Sequence, residues 1–257
     1  EMQKATQTAL PADIAVQWAA VADWRIDAVA GGKIKKGPGG PPTLWHGLRA
    51  LLAFELANCG QISIVTRLDR ETSGLVLVAT TRGEARRLGR LLARGGIDKT
   101  YLAVVRGWPD RDAFTVDAPI RRQGEVADCP VYLRQTVDPG GKPCRTEVTV
   151  VRRFRHPRSG DGPFALVEAA PLTGRMHQIR VHLAHAGHPV VGDKLYTGDG
   201  REYLDFIAAG WTPALAAALL HPRHALHCTR LAFDDHVFSS PPAPDLVAWL
   251  PPEVTAG

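Results

Sequence analysis

Between residues 99 and 170 the chain passes through five strand-length stretches, 99–107, 114–120, 130–137, 144–154 and 164–170. Turn-forming residues separate them, most densely in DPGGKP (138–143) and HPRSGDGP (156–163). In KTYLAVVRG (99–107) the two-residue alternation of a strand puts Lys99, Tyr101, Ala103 and Val105 on one face. Two further strands are predicted at 62–65 and 75–79 and another at 225–233. Helices are predicted at 44–58, 83–94, 176–186, 201–209 and 213–220, with a last amphipathic piece at 244–250. Strands bunched in the middle, with helices interspersed and no βαβ rhythm, specify an α+β fold rather than a doubly wound parallel sheet.

A chain of 257 residues with 45% apolar and 22% charged side chains can bury a sizeable core and has the balance of an ordinary soluble protein. No apolar run reaches the length needed to cross a bilayer, and the N-terminus lacks the pattern of a secretory signal, so a cytoplasmic protein without a membrane partner is expected. Cys59, Cys129, Cys144 and Cys228 are scattered without a C-x-x-C pair, which fits neither a disulfide framework nor a zinc site. Residues 1–21 show no strong period and are expected to be an N-terminal extension, with 22–257 forming one catalytic domain and the chain a monomer. Residues 31–42, GGKIKKGPGGPP, lack the spacing of a phosphate-binding loop and read as a mobile basic loop carrying Lys33, Lys35 and Lys36. Thr43 then offers an N-cap to the 44–58 helix, whose apolar face is Leu44, Leu48, Leu51, Leu52 and Leu56.

The net charge of +5 separates a nucleic-acid binder from a basic enzyme only weakly, but its distribution says more. Arg86, Arg90 and Arg94 recur every four residues and share one face of the 83–94 helix, as either a solvated face or a phosphate-contacting ridge. Chemistry concentrates in two other stretches. In TRLDRETSGLVLVAT (66–80), Asp69 stands in a polar turn before an apolar strand, where a catalytic carboxylate or a plain turn-former can both sit. In LTGRMHQIRVHLAHAGHPVVGD (172–193), Arg175, His177, Gln178, Arg180, His182, His185 and His188 crowd together. No H-E-x-x-H is present and no Cys or carboxylate lies at ligand spacing before Asp193, which disfavours a metal site. The reading preferred on chemistry is that the His and Gln side chains brace loops while the arginines handle anions.

RLDRETSG (67–74), KTYLAVVRG (99–107), TGRMHQIRVHLAHAGHPVVGD (173–193) and LHCTRLAF (226–233) occur in that order and at fitting distances. Together they resemble the signature blocks of the RluA-type pseudouridine synthases, over roughly residues 60–235. The resemblance implies a mixed, mainly antiparallel sheet with helices packed around it and a central active-site cleft. It implies isomerisation of a uridine in structured RNA, ribosomal or transfer, without a metal or nucleotide cofactor. Asp69 matches the family's catalytic nucleophile, Tyr101 an active-site tyrosine that packs on the base and is a candidate for removing the C5 proton, and Arg180 the arginine that pairs with the carboxylate. Arg67 matches a residue that occupies the place of the flipped-out base, and Ile179 one that lines the pocket; Arg175, His177 and Gln178 join them as expected substrate-binding positions. The carboxylate can attack C1′ or deprotonate C2′, and the sequence does not choose.

Three positions depart from the family pattern. Thr66 stands where His commonly precedes R-L-D, Met176 where Thr is usual, and DAVAGGKIKKGPGG (27–40) keeps Gly/Pro character without the usual Lys-Pro pair. No small N-terminal RNA-binding domain is expected before residue 22. Two other readings compete with the synthase: a catalytically weak RNA-binding or RNA-folding protein on the same fold, and a hydrolase pairing Asp69 with Glu71.

Overall fold

In the computed structural model the described residues are Ile14–Ala19, Leu48, Ala57, residues 60–157, Gly160 and residues 162–250. The basic loop 31–42, its cap Thr43, Cys59 and most of the 44–58 helix lie outside them; Leu48 and Ala57 are helical. The chain divides into two compact units, Glu1–Leu68 with Leu75–Ile97, and Asp69–Gly74 with Asp98–Gly257.

In the first unit β1 (Ile14–Ala19) and β2 (Ser63–Ile64) both neighbour β3 (Ser73–Ala79), whose last five residues belong here. β1 falls inside the stretch expected to be an extension without a strong period; an Ile-x-Val-x-Trp alternation runs through it. β2 pairs antiparallel with β3, Ser63 opposite Ala79 and Ile64 opposite Val78. Every residue of β3 is buried, so both faces of the strand are covered, as its continuous apolar run from Leu75 to Ala79 requires. Val76 and Val78 pack with Leu48, Ile62 and Leu68. Thr66 is buried, and its Oγ1 accepts the Leu77 amide at 2.9 Å while Val65 donates to the Leu77 carbonyl at 2.8 Å. The hydroxyl at the position where relatives commonly carry His therefore serves the backbone of β3. α1 (Arg82–Ala93) follows, capped by the Thr81 side chain on the Glu84 amide. Its buried contact is Leu88, and Arg86, Arg90 and Arg94 are exposed.

The second unit contains β4 (Asp98–Arg106), β5 (Ala113–Asp117), β6 (Ile120–Arg122), β7 (Gln135–Val137), β8 (Arg145–His156), β9 (Gly162–Pro171), α2 (Gln178–His185), α3 (Arg201–Ala209), α4 (Pro213–Leu219), β10 (Leu226–Phe233), β11 (His236–Ser239) and α5 (Pro244–Trp249). Its sheet runs β10–β4–β9–β8–β5 with every neighbouring pair antiparallel, and β11 pairs antiparallel on β10. Ser73 and Gly74 lie parallel to His227 and Cys228, so the sheet is mixed but mainly antiparallel, as the α+β reading and the family resemblance imply. β4 sits between β10 and β9 and is buried from Tyr101 to Val105, so the expected one-sided face is covered on both sides.

Two strand expectations need correction. The 114–120 stretch breaks into β5 and β6 around Pro119, which has no amide hydrogen to offer a ladder. Of 130–137 only Gln135–Val137 pairs, because the partner β6 supplies three residues, and Val131 is instead drawn into a core with Ile120, Cys144, Val181, Leu195 and Tyr196. β11, reached through a turn with Asp234 at φ 48°, was not anticipated. Gly192 is required where it stands: at φ 78° a Cβ would lie 1.9 Å from the Arg223 carbonyl oxygen.

Four buried histidines join these elements as neutral rings. His182 bonds the Thr146 hydroxyl (2.8 Å) and the Ala118 carbonyl (2.9 Å), and His221 the Arg223 carbonyl (2.7 Å). His224 meets the Thr72 hydroxyl at 2.7 Å, and His227 bridges the Ser73 and Ser240 hydroxyls at 2.9 and 3.1 Å. Burial pushes all four below the ordinary imidazole value, His224 furthest and His227 to about 4. In the unfolded chain they titrate near ~6.5, so below that pH the unfolded state binds more protons than the native one. Stability is therefore expected to be fully present above about pH 7 and to fall steadily from about pH 6.5 toward 4. Thermal melts across that range check this, and a melting temperature flat from pH 7 to 4 would contradict it.

Candidate active site

The turn that carries Asp69 is closed by the Thr72 amide donating to the Asp69 carbonyl at 3.0 Å. Beyond that bond it is held by residues more than a hundred positions away. Lys194 Nζ donates to both Glu71 carboxylate oxygens at 2.7 and 2.9 Å. Arg223 Nη1 donates to the Glu71 carbonyl at 3.0 Å and Nη2 to the Ser73 hydroxyl at 3.0 Å, while Asp245 takes its Nε and Nη2 at 2.6 and 2.8 Å. His224 and His227 bind the hydroxyls of Thr72 and Ser73. Gly74, at φ 114°, lies so close to β10 that a Cβ would sit 2.3 Å from the Cys228 carbonyl oxygen. The turn is thus fixed at its backbone, at three side chains and at its exit into β3.

Arg180 reaches Asp69 from α2, which is buried from Gln178 to Leu183 with no polar face. The guanidinium is 5% exposed and divides its donors between two carboxylates. Nε and Nη2 clasp Asp193 at 2.6 and 2.8 Å, and Nη1 donates to Asp69 Oδ2 at 3.1 Å. Asp193 is 0% exposed and its Oδ1 also accepts the amides of Leu195 and Tyr196 at 2.9 and 3.2 Å. Burial alone would raise the Asp193 carboxyl, but the facing Arg180 and the Leu195 amide hold it below its ordinary value. Burial likewise works against the Arg180 charge, and Asp193 with Asp69 outweighs it, leaving the guanidinium permanently protonated. Bidentate clasping fixes both the plane and the rotation of the fork, so the remaining donor is aimed.

Tyr196 adds a second layer. The Arg180 guanidinium carbon lies 5.1 Å from its ring centroid, and its hydroxyl accepts the Gln135 amide at 3.0 Å and meets His177 Nδ1 at 2.8 Å. His177 caps α2 in the left-handed region at φ 58°, an uncommon state for non-Gly residues that Asn, Asp and His adopt more often than others. The Gln178 side-chain oxygen takes the Thr173 hydroxyl (2.6 Å) and the Arg175 amide (3.0 Å), while its nitrogen donates to the Arg145 carbonyl (2.9 Å) and Thr146 hydroxyl (3.0 Å). Gln178 is therefore fully engaged in tying the 173–175 loop to β8, the bracing role expected on chemistry, where the resemblance also implied substrate contact. Arg175 is exposed and donates to the Pro143 carbonyl at 3.3 Å, and Ile179 is buried beside Arg180.

Tyr101 is buried on β4, opposite Cys228 of β10 and Ala169 of β9. Burial, with the neighbouring Cys228 and Asp69, pushes its phenol well above the ordinary value. It is a neutral phenol at any working pH, so proton removal through it requires the phenol to shed its own proton in the same step. The structure thus brings Asp69, Arg180, Tyr101 and His177 into one unit. Arg67 is exposed and belongs to the other unit, as do Arg86, Arg90 and Arg94. Glu71, considered as a second catalytic carboxylate, is taken up by Lys194. Among the described residues no group of three His, Cys, Asp or Glu is placed to hold a metal, and His182 is spent on Thr146 and Ala118. Asp193, Tyr196, Lys194 and Arg223 were not anticipated as site residues. Asp193 and Lys194 lie in or next to the VVGD segment, where a carboxylate after a buried helix was the available signal.

A family model described as RNA pseudouridylate synthase matches residues 35–185. A second model, the C-terminal domain of a DNA/pantothenate metabolism flavoprotein, matches residues 1–48, nearly all outside the described residues. The chain is 38% identical over 212 residues to Ribosomal large subunit pseudouridine synthase D of Nitrosomonas europaea, which covers 80% of this chain and 54% of that protein. It spans about half the length of the curated relatives it matches. Among solved structures, Human RNA Pseudouridylate Synthase Domain Containing 1 aligns with a TM-score of 0.64 and 26% identity, over 93% of this chain and 85% of that one. Human RNA Pseudouridylate Synthase Domain Containing 4, at 20% identity, shares the fold with a TM-score of 0.68 over 98% of this chain and 94% of its own. With a family model matched across more than half its length and the four signature blocks in order, the chain belongs to the RNA pseudouridylate synthase family, of the RluA type.

Proposed function

We propose that this chain isomerises a specific uridine in structured RNA to pseudouridine, with Asp69 as nucleophile, Arg180 as the group that holds it and Tyr101 as the base-facing phenol. The names of the relatives favour ribosomal RNA as the substrate, with transfer RNA the other class. The supporting observation is the aimed donor: Arg180 Nη1 engages Asp69 Oδ2 while Asp193 fixes the rest of the guanidinium. Asp69 Oδ1 makes no hydrogen bond among the described residues and is the oxygen left to react. Attack at C1′ or proton removal at C2′ both use that oxygen. The C1′–N1 bond breaks, the uracil turns, a C1′–C5 bond forms, and the C5 hydrogen is exchanged for one on N1, with no net redox change. The target base must leave its stack at a cost of about a few kcal/mol, which favours loops and unpaired nucleotides as targets. The chain acts as a cytoplasmic monomer without a metal or nucleotide cofactor in this reading.

Asp69→Asn is expected to lower pseudouridine formation by at least roughly a thousandfold. It is a clean substitution, because Arg180 keeps its bidentate partner Asp193 and no unpaired buried charge results. Pseudouridine mapping across total RNA from cells with and without the gene names the site. A site that disappears, then returns with wild type and equally with Asp69→Asn, would remove Asp69 from the chemistry.

The exposed ridge on α1 is assigned to RNA backbone contact. Replacing Arg86, Arg90 and Arg94 together by Gln is expected to weaken RNA binding and reduce the slope of log K against log salt by about 2 to 3. An unchanged slope would take the ridge out of the interface.

A further inference from the structure

The hairpin of β6 and β7 carries a surface that the catalytic group does not use. Its strands pair Ile120 with Val137 and Arg122 with Gln135, and its loop returns through Tyr132 and Leu133. Tyr132 is 73% exposed, with Leu133 at 43% and Val126 at 49% beside it in sequence or across the loop. Such an open ring offers a flat face with a polar tip to a partner. The backbone that carries it is nevertheless fixed. Val131, immediately before it, is 3% exposed in the core cluster, the Arg134 amide donates to the Val131 carbonyl at 3.1 Å, and the Gln123 amide donates to the Arg134 carbonyl at 2.9 Å. The Arg122 guanidinium carbon lies 4.4 Å from the Tyr132 ring centroid. A cation thus already stacks on the aromatic ring, and most of the residue's surface remains open to a second flat partner.

The root of this hairpin meets the catalytic group. Gln135 donates its amide to the Tyr196 hydroxyl at 3.0 Å, and the Arg134 guanidinium carbon is 5.9 Å from the Tyr196 ring, the same ring that Arg180 overlies. Tyr132 is three residues from Gln135, at most about 10 Å of chain. Of the hairpin's arginines, Arg121 pairs with Glu125 and Asp138 and Arg122 with Glu125, while Arg134 donates to the Gly198 carbonyl at 2.8 Å. Resting on the proposed synthase activity, we infer that Tyr132, backed by Arg122, is a stacking platform for an unpaired base of the RNA substrate next to the target uridine. Flipping the target out removes a stacking partner from its neighbour, and a cation-backed ring supplies a replacement.

The test uses in vitro transcribed fragments of large-subunit ribosomal RNA that contain loops, with a fully paired RNA duplex of equal length as control. Tyr132→Ala is expected to weaken binding to the looped fragments by roughly five- to 150-fold. Tyr132→Phe, which keeps the ring, should bind within about twofold of wild type, and duplex binding should be the same for all three. On a fragment that is modified, Tyr132→Ala should raise KM with kcat unchanged. Equal affinity of Tyr132→Ala and wild type for looped RNA would overturn the platform, as would a loss with Tyr132→Phe as large as with Ala. Wild type that binds loops in a Tyr132-dependent way yet forms no pseudouridine would support the platform while overturning the activity.

Discussion

The arrangement around Arg180 sets the terms for the rest of the larger unit. A buried guanidinium needs compensation, and Asp193 supplies it in the strongest available form, two parallel charge-assisted bonds between buried side chains. Only then does one donor remain for Asp69, and its direction is no longer free. A single Arg–Asp pair at a protein surface would leave both side chains to sample rotamers and would be screened by water. Here the Asp69 carboxylate keeps a minor part of its surface open to solvent, 17%, and is anchored by Arg180.

Asp69 also depends on a turn that its own sequence does not stabilise alone. RLDRETSG closes through one backbone bond, and what else fixes it comes from Arg180 and from residues 194–245. Lys194 neutralises Glu71 and also lies 4.6 Å from the Phe206 ring, so a lysine that is almost fully buried is satisfied by a carboxylate, a carbonyl and an aromatic face together. Arg223 repeats the logic of Arg180: clasped by Asp245, it presents its remaining donors to the turn. Two clamped arginines and two neutral histidines hold one six-residue segment, which is how a loop attains the precision that catalysis requires.

Much of this was legible in the sequence. Period-2 runs and turn residues located most strands, and the helix over 176–186 was placed within two residues because Gly187 ends it. The pairing of Arg180 with Asp69 was anticipated from the family blocks. What escaped were pairings with no local signature. Nothing in GDKLY announces that Asp193 faces a helix thirteen positions earlier, and Arg223-His224 lies in a loop without periodicity. Gln178 was counted with the substrate-binding residues through the family blocks, while its residue type read on chemistry as a brace for loops. Its four hydrogen bonds, to the Thr173 hydroxyl, the Arg175 amide, the Arg145 carbonyl and the Thr146 hydroxyl, tie the preceding loop to β8, in line with the bracing role. Thr66 illustrates the converse, a substitution within a signature block whose hydroxyl finds a backbone partner in β3.

The dependence of Asp69 on a clamped arginine predicts that the clamp matters to the rate although it never reaches the RNA. Asp193→Asn keeps the shape of the side chain and its amide contacts in part, but removes the charge that fixes Nε and Nη2 of Arg180. Single-turnover pseudouridine formation at saturating RNA, on protein confirmed folded by thermal melting, is the most direct measurement. A rate reduced at least about tenfold, with RNA affinity retained and partial recovery in Asp193→Glu, is the predicted result. A folded Asp193→Asn protein that turns over at the wild-type rate would show that Asp69 is held by something other than this pair.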